Sequence, residues 1–163
     1  MIDAGHEQNV KTGYPVINAD GLVGRVVETG AASARVLLST DLNSRIPVVV
    51  GPDGVRAILA GDNGPRPRLI YLPQNAKIAA GDDVATSGTG GLYPRGLRIG
   101  KVTGDALLPR VDLRAKLDGL EYLSVLFFDD PARGLLGEGT PDASKNQARR
   151  DGPPPLAATG AQR

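Results

Sequence analysis

The sequence predicts an all-β fold of two small tandem β-barrels with mostly antiparallel strands, the first of them incomplete. Three observations predict it. Glycine and proline number 22 and 13 among 163 residues, and they separate short apolar runs, the pattern of many short strands joined by tight turns. Asp20-Gly21, Asp53-Gly54, Asn63-Gly64 and Gly81-Asp82 fall between those runs, where hairpin turns need residues that tolerate positive φ. A strand–turn–strand unit also occurs twice.

In chain order, strands are expected over 13–18, 22–28, 34–39, 45–50, 56–60, 68–72, 83–86 and 98–104. Each is a short β-branched or alternating run. Pro47 sits inside the fourth and confines it to an edge or a bulge, because proline cannot donate to a ladder. The continuous apolar run 122–128, Tyr-Leu-Ser-Val-Leu-Phe-Phe, reads as a buried strand. Helical periodicity is confined to 113–120, where Leu113, Leu117 and Leu120 follow the capping residue Asp112, giving one or two turns. Beyond residue 130 the chain is rich in Gly, Pro and Ala and includes Pro153-Pro154-Pro155. Such a segment buries too little apolar surface to offset its ordering entropy. The expected domains are therefore a first barrel over 2–65, a second over 66–130, and a disordered tail over 131–163.

The repeated unit runs Gly-x-x-Val, a turn, Gly-Leu, then Gly-basic-Val. The first copy is Gly13 to Val16 followed by Gly21-Leu22-Val23-Gly24-Arg25-Val26. The second is Gly81-Asp82-Asp83-Val84, then Gly96-Leu97-Arg98-Ile99-Gly100-Lys101-Val102, with a longer Gly-rich connection. In each copy valine packs inward and the basic residue faces solvent. The glycine before it suits a bend or a close backbone approach, the device that lets a small sheet curl.

Function classes narrow by exclusion. Lys plus Arg total 19 against 18 Asp plus Glu, a net charge of +1, and the basic residues are spread singly, so no nucleic-acid footprint is present. There is no cysteine and one histidine, His6, which rules out thiolate and His-rich metal sites. No window holds the roughly 18 apolar residues of a membrane span, and the start lacks the pattern of a signal peptide. Thr86-Ser87-Gly88-Thr89-Gly90-Gly91 invites a phosphate loop, but Leu92-Tyr93-Pro94 follows instead of a Gly-Lys-Ser/Thr ending and a helix. Ser87 as a nucleophile would need His6 as its base. The plainer reading is a hairpin or Ω-loop in which Ser87 and Thr89 satisfy backbone groups. In Asp41-Leu42-Asn43-Ser44-Arg45-Ile46-Pro47, one carboxylate makes a poor cation site, and a turn closed by an Asp41–Arg45 pair is expected. Asp82 and Asp83 point to opposite faces of a strand and would not share a proton. A degenerate trypsin-like hydrolase and a glycan-binding module stay open as alternatives. With no Trp, two Phe and four Tyr, and both Phe inside the run expected to be buried, the latter lacks aromatic rings to stack on sugars.

Taken together, these segments resemble the rod-shape-determining MreC family. The resemblance is carried by Gly21 to Val26, by the run from Ser33 through Asp41, Asn43, Ser44, Arg45 and Pro47 to Val48, and by the later set Tyr71-Leu72-Pro73, Gly81-Asp82, Thr86-Ser87-Gly88, Gly90-Gly91, Tyr93-Pro94, Gly96-Leu97, Ile99-Gly100-Lys101-Val102 and Leu120-Glu121-Tyr122. It implies two small extracytoplasmic β-barrels behind an inner-membrane anchor and a coiled coil. It further implies a non-catalytic scaffold of the elongasome, organising lateral peptidoglycan synthesis and rod shape. The implied partners are a class B penicillin-binding transpeptidase, MreD, RodA, and MreB through the membrane, together with self-association. It implies no catalytic residue and contact with the membrane only through the anchor, which agrees with a composition that calls for no nucleic acid, no cofactor and no metal. The sequence departs from the family by opening at the Asp3-Ala4-Gly5 turn, so an unfilled sheet edge is expected. Asn9 stands where relatives often have glycine, and asparagine is the next best residue for left-handed backbone.

Overall fold

The computed structural model describes residues 1–105 and 107–128, so the tail expected over 131–163 lies outside the described residues. Among the described residues, ten strands sort into two sheets. β1 (Pro15–Ile17), β2 (Leu22–Thr29) and β3 (Ala34–Leu38) form a meander, and the last strand, β10 (Ser124–Val125), returns to lie beside β1. β4 (Arg45–Val50), β5 (Val55–Ala60), β6 (Arg68–Ile70), β7 (Asp83–Thr86), β8 (Arg98–Thr103) and β9 (Arg110–Leu113) close into a barrel in the order β4-β5-β6-β9-β8-β7. All named pairings are antiparallel. The all-β architecture is thus as expected, with one closed barrel and one open four-stranded sheet.

The division between the two differs from the expected boundary at 65/66. The chain leaves the open sheet at the turn after β3, so β4 and β5 belong to the closed barrel, while β10 goes back to the first sheet. Pro47 had argued against a central position for β4, yet β4 pairs with β5 on one side and β7 on the other. The Pro47 carbonyl accepts the Ser87 N–H at 3.0 Å. The donor that proline lacks would face the same side, toward Ser87 just past the end of β7 at Thr86, so this terminal pair keeps one of its two bonds and the ladder beyond it is untouched.

The barrel core follows from alternation. Ile46, Val48 and Val50 of β4, Leu59 of β5 and Val111 of β9 are each at most 1% exposed, and with Leu69, Val84, Ile99 and Val102 they form one cluster. A second cluster under the open sheet holds Val10, Tyr14, Val16, Val23, Val26, Ala34 and Ala115. Leu22 of β2 packs into the barrel cluster. A Cβ at Gly21 would come within 2.6 Å of the Arg98 carbonyl oxygen, so the starts of β2 and β8 touch.

The two repeat copies match residue for residue. Gly24 pairs with Val16 and Leu38, and Gly100 pairs with Val84 and Leu113. Gly13 and Gly81 hold φ of 95° and 92°. Their N–H groups donate to Val26 and Val102 at 2.7 and 2.8 Å, and those valines donate back to Tyr14 and Asp82 at 2.8 and 2.9 Å. A Cβ on Gly24 would lie 2.9 Å from the Leu37 carbonyl carbon, and one on Gly100 2.9 Å from that of Asp112. Close approach of the next strand therefore accounts for both glycines. β1-β2-β3 and β7-β8-β9 are two copies of one meander.

Two expected elements are absent in the form anticipated. Residues 113–120 form no helix: Leu113 ends β9, Ala115 is buried, and Gly119 turns the chain at φ 69°. The leucine spacing reflects an extended connection whose Leu117 and Leu120 pack under the open sheet. The run 122–128 is not a buried strand. Only Ser124–Val125 pair, Tyr122 is 88% exposed and Phe127 is 65% exposed, because β10 meets β1 along one edge over two residues. Phe127 rests edge-on against Tyr14, with ring centroids 5.6 Å apart. Asn9 does adopt the left-handed conformation, at φ 61°.

No local pattern points to the clasp between Asp62 and Arg110. The guanidinium donates to the Asp62 carboxylate at 2.8 Å and to the Arg66 carbonyl at 2.8 Å. The Arg110 hydrogen bond, then the Gly64 N–H, hold the Asp62 carboxyl below its ordinary 3.8. Because the folded value is the lower one, this group stabilises the fold above about pH 4, and the contribution is lost as pH falls through the folded value. Urea midpoints should therefore separate wild type from Asp62→Asn at pH 7 and converge as the pH falls through the folded value. A gap that stays constant across an acid titration would refute the assignment.

Candidate functional site

Around the barrel, the residues that alternate with the core point outward. On β4 these are Arg45, Pro47 and Val49, and on β5 Arg56 and Ile58. Pro47, Ile58 and Ile70 stand in register across β4, β5 and β6. An apolar row thus crosses a wall that water would ordinarily claim. Its Pro47 and Ile58 form the floor of a groove of about 150 Å³, whose lining is completed by Val48, Arg56, Ala57, Tyr71, Ser87 and Thr89.

Each end of the groove is built by a special backbone. At one end Tyr71 is 81% exposed and holds φ of 58°, a left-handed conformation that costs a non-glycine residue about 1 kcal/mol. At the other end is the Gly-rich connection between β7 and β8. Gly88 and Gly90 take φ of 77° and 79° there, and Gly91 takes 66°. Thr86 is fully buried. Its Oγ1 donates to the Pro94 carbonyl at 2.6 Å and accepts from the Leu97 N–H at 2.9 Å, while the Gly96 N–H donates to the Thr86 carbonyl at 2.9 Å. This clamp fixes the loop and sets Ser87 and Thr89 against the groove. Tyr93 of the same loop is buried, and its hydroxyl is pushed up to about 12 by desolvation, an effect opposed by the nearby Arg25.

The other segments singled out in the sequence serve turns. The Asp41 carboxylate accepts the Asn43 N–H at 2.8 Å, and the Asp41 carbonyl accepts the Ser44 N–H at 2.8 Å. Arg45 does not pair with Asp41 as expected. Its guanidinium donates to the Leu42 and Ser44 carbonyls at 2.9 and 2.8 Å, because the Asp41 side chain is already turned toward Asn43. Asp82 accepts the Ala79 N–H at 2.8 Å, while Asp83 faces Lys101 at 3.7 Å, so the two acids serve separate roles. Ser87 Oγ accepts the Thr89 N–H at 3.2 Å, and His6 Nε2 lies 3.0 Å from Thr29 Oγ1. The hydroxyl and the imidazole that a hydrolase would join are engaged elsewhere. Among the described residues no group of three or more His, Cys, Asp or Glu is placed to hold a metal ion, and no helix is long and apolar enough to cross a membrane.

Sequence reasoning picked out Tyr71 only within the Tyr71-Leu72-Pro73 motif and missed that it meets Arg56 and Ile58 in one groove. A signal existed: Ala57-Ile58-Leu59-Ala60 is apolar on both faces, and in a small barrel one of those faces is the outside.

Comparison with known proteins places these features. Residues 1–126 match the family described as "Rod shape-determining protein MreC, barrel core". The cell shape-determining protein MreC of Caulobacter vibrioides is 46% identical over 134 residues, covering 82% of this chain and 39% of that protein. That of Cereibacter sphaeroides is 39% identical over 163 residues, covering 99% of this chain and 52% of that protein. The chain thus spans between two-fifths and about half the length of these curated relatives. The crystal structure of MreC from Pseudomonas aeruginosa superposes with a TM-score of 0.72 at 37% identity, covering 77% of this chain and 86% of that one. The major periplasmic domain from the cell shape-determining filament MreC gives 0.62 at 25% identity over 72% and 80%. A chain of the complex between penicillin-binding protein and MreC from Helicobacter pylori gives 0.57 at 21% identity over 68% and 74%. The last likeness is one of fold alone.

Proposed function

This chain belongs to the MreC family of cell shape-determining proteins, and from that premise we propose that it is a periplasmic, non-catalytic scaffold that organises lateral cell-wall synthesis by holding partner proteins. The observation that carries the reading is the outward apolar groove on the barrel wall. It leaves Ile58 half-buried and Tyr71 81% exposed where a barrel with no partner would carry polar side chains. A large exposed aromatic held in a costly conformation beside an apolar floor has the character of a binding anchor.

The partner best supported is a class B penicillin-binding transpeptidase, since a related MreC from Helicobacter pylori has been solved with a penicillin-binding protein. MreD, RodA, MreB acting across the membrane, and further copies of the protein itself are the remaining members of the assembly that the family implies. In the full-length protein the domain would be held at the inner membrane.

The test uses Tyr71→Gly, which removes the ring and suits the left-handed backbone. The variant should be about 1 kcal/mol more stable than wild type in urea, yet weaken co-purification of the full-length protein with the transpeptidase about tenfold. It should also fail to restore rod shape in cells depleted of the native protein. Full binding and full rescue by a stably folded Tyr71→Gly would sink the proposal.

A further inference from the structure

The groove carries a charge as well as an apolar floor. Arg56 lines it and is exposed, and among the described residues it has no carboxylate within ion-pair distance, unlike Arg35, Arg66, Lys101 and Arg110, which each face one. Arg95 is also exposed and stands behind the opposite wall, its Cβ 3.1 Å from the Cβ position of Gly88. Besides Arg56, the polar side chains lining the groove are those of Ser87 and Thr89. Its volume, about 150 Å³, suits a single large apolar side chain.

From this we infer that the groove takes a partner polypeptide segment that inserts one aromatic or branched aliphatic side chain between Tyr71 and Thr89 and sets an adjacent Asp or Glu on Arg56. The inference rests on the docking reading above and adds the chemistry of the occupant. An unpaired guanidinium beside an apolar floor favours a carboxylate, which it can grip with two parallel N–H bonds. A basic neighbour on the same anchor is repelled, so the groove selects by charge as well as by shape.

The experiment selects random decapeptides displayed on phage against the purified full-length protein and, in parallel, against Arg56→Glu. Wild type should enrich peptides with Asp or Glu within two residues of an aromatic or aliphatic anchor, and Arg56→Glu should enrich Lys or Arg at that place. A synthetic wild-type-selected peptide should bind Arg56→Glu at least about tenfold more weakly, and its affinity for wild type should fall with added NaCl. Enrichment without an acidic bias, or the same peptides on both proteins, overturns the inference. So does a sedimentation profile in which wild type is oligomeric through this face and Arg56→Glu is monomeric, since the occupant is then a second copy. Because the selection uses no transpeptidase, it separates the two readings: peptides of the expected class with no transpeptidase binding leave the groove chemistry standing and refute the partner.

Discussion

Gly100→Ala is expected to destabilise the protein by about 3 kcal/mol, although it adds a single methyl group. The added Cβ would press into the Asp112 peptide, 2.9 Å from its carbonyl carbon and nearer still to its oxygen, with the Leu113 Cα at 3.0 Å. All of these are backbone atoms of a strand locked in the closed barrel, so nothing flexible can yield. Gly24→Ala meets the same geometry against Leu37 and Leu38, but in the open sheet, whose outer strands can shift. It should cost less, about 2 kcal/mol. Gly54→Ala is the control: its φ is 63° and nothing lies within 4 Å of the new atom, so only the left-handed term of about 1 kcal/mol applies. Urea denaturation should return the order Gly100, Gly24, Gly54. Equal losses at all three sites would mean that backbone conformation, not strand approach, explains the repeated glycine.

Thr86→Val is expected to cost about 2–4 kcal/mol despite its near-identical volume. The Thr86 hydroxyl is the partner of both the Pro94 carbonyl and the Leu97 N–H, at a side chain with no exposed surface. Valine leaves the part-buried Leu97 N–H and Pro94 carbonyl without the partner they share. The loop it clamps forms one wall of the groove, so stability and docking should fail together. Thr86→Ser keeps the hydroxyl and should restore most of both. Limited proteolysis over 88–96 together with urea midpoints would read the two effects. A Val variant as stable and as protease-resistant as Ser would show that the clamp contributes nothing.

Much of this was readable from residues. The runs of β4 and β7, each bounded by turn residues, were located to the residue, β4 in spite of Pro47 inside it. The glycine ahead of Arg25 and Lys101 correctly suggested close approach, because few other demands put glycine in mid-strand. What escaped depended on partners distant in sequence. The Asp62–Arg110 clasp joins residues 48 apart, and no local pattern announces it. Pro47 was misjudged because its missing donor falls opposite Ser87, where β7 has just ended, and so removes one terminal bond without breaking the ladder. The run 122–128 was misjudged because apolar content speaks for burial only if a strand has neighbours on both sides. The groove residues looked like core for the same reason: period-two alternation reports two faces but not which one a second protein covers.

The return of β10 to β1 has a kinetic consequence. The strands of the barrel occupy one uninterrupted stretch, Arg45 to Leu113, set into the open sheet between β3 and β10. Bringing Val125 to Val16 through an unfolded chain means closing a very long loop, whose entropic cost grows with its length. Once the barrel has formed, it fixes the path between them and most of that entropy is already spent. The barrel is therefore expected to fold first and the β10–β1 seam to close last, with amide exchange fastest at the seam and slowest inside the barrel.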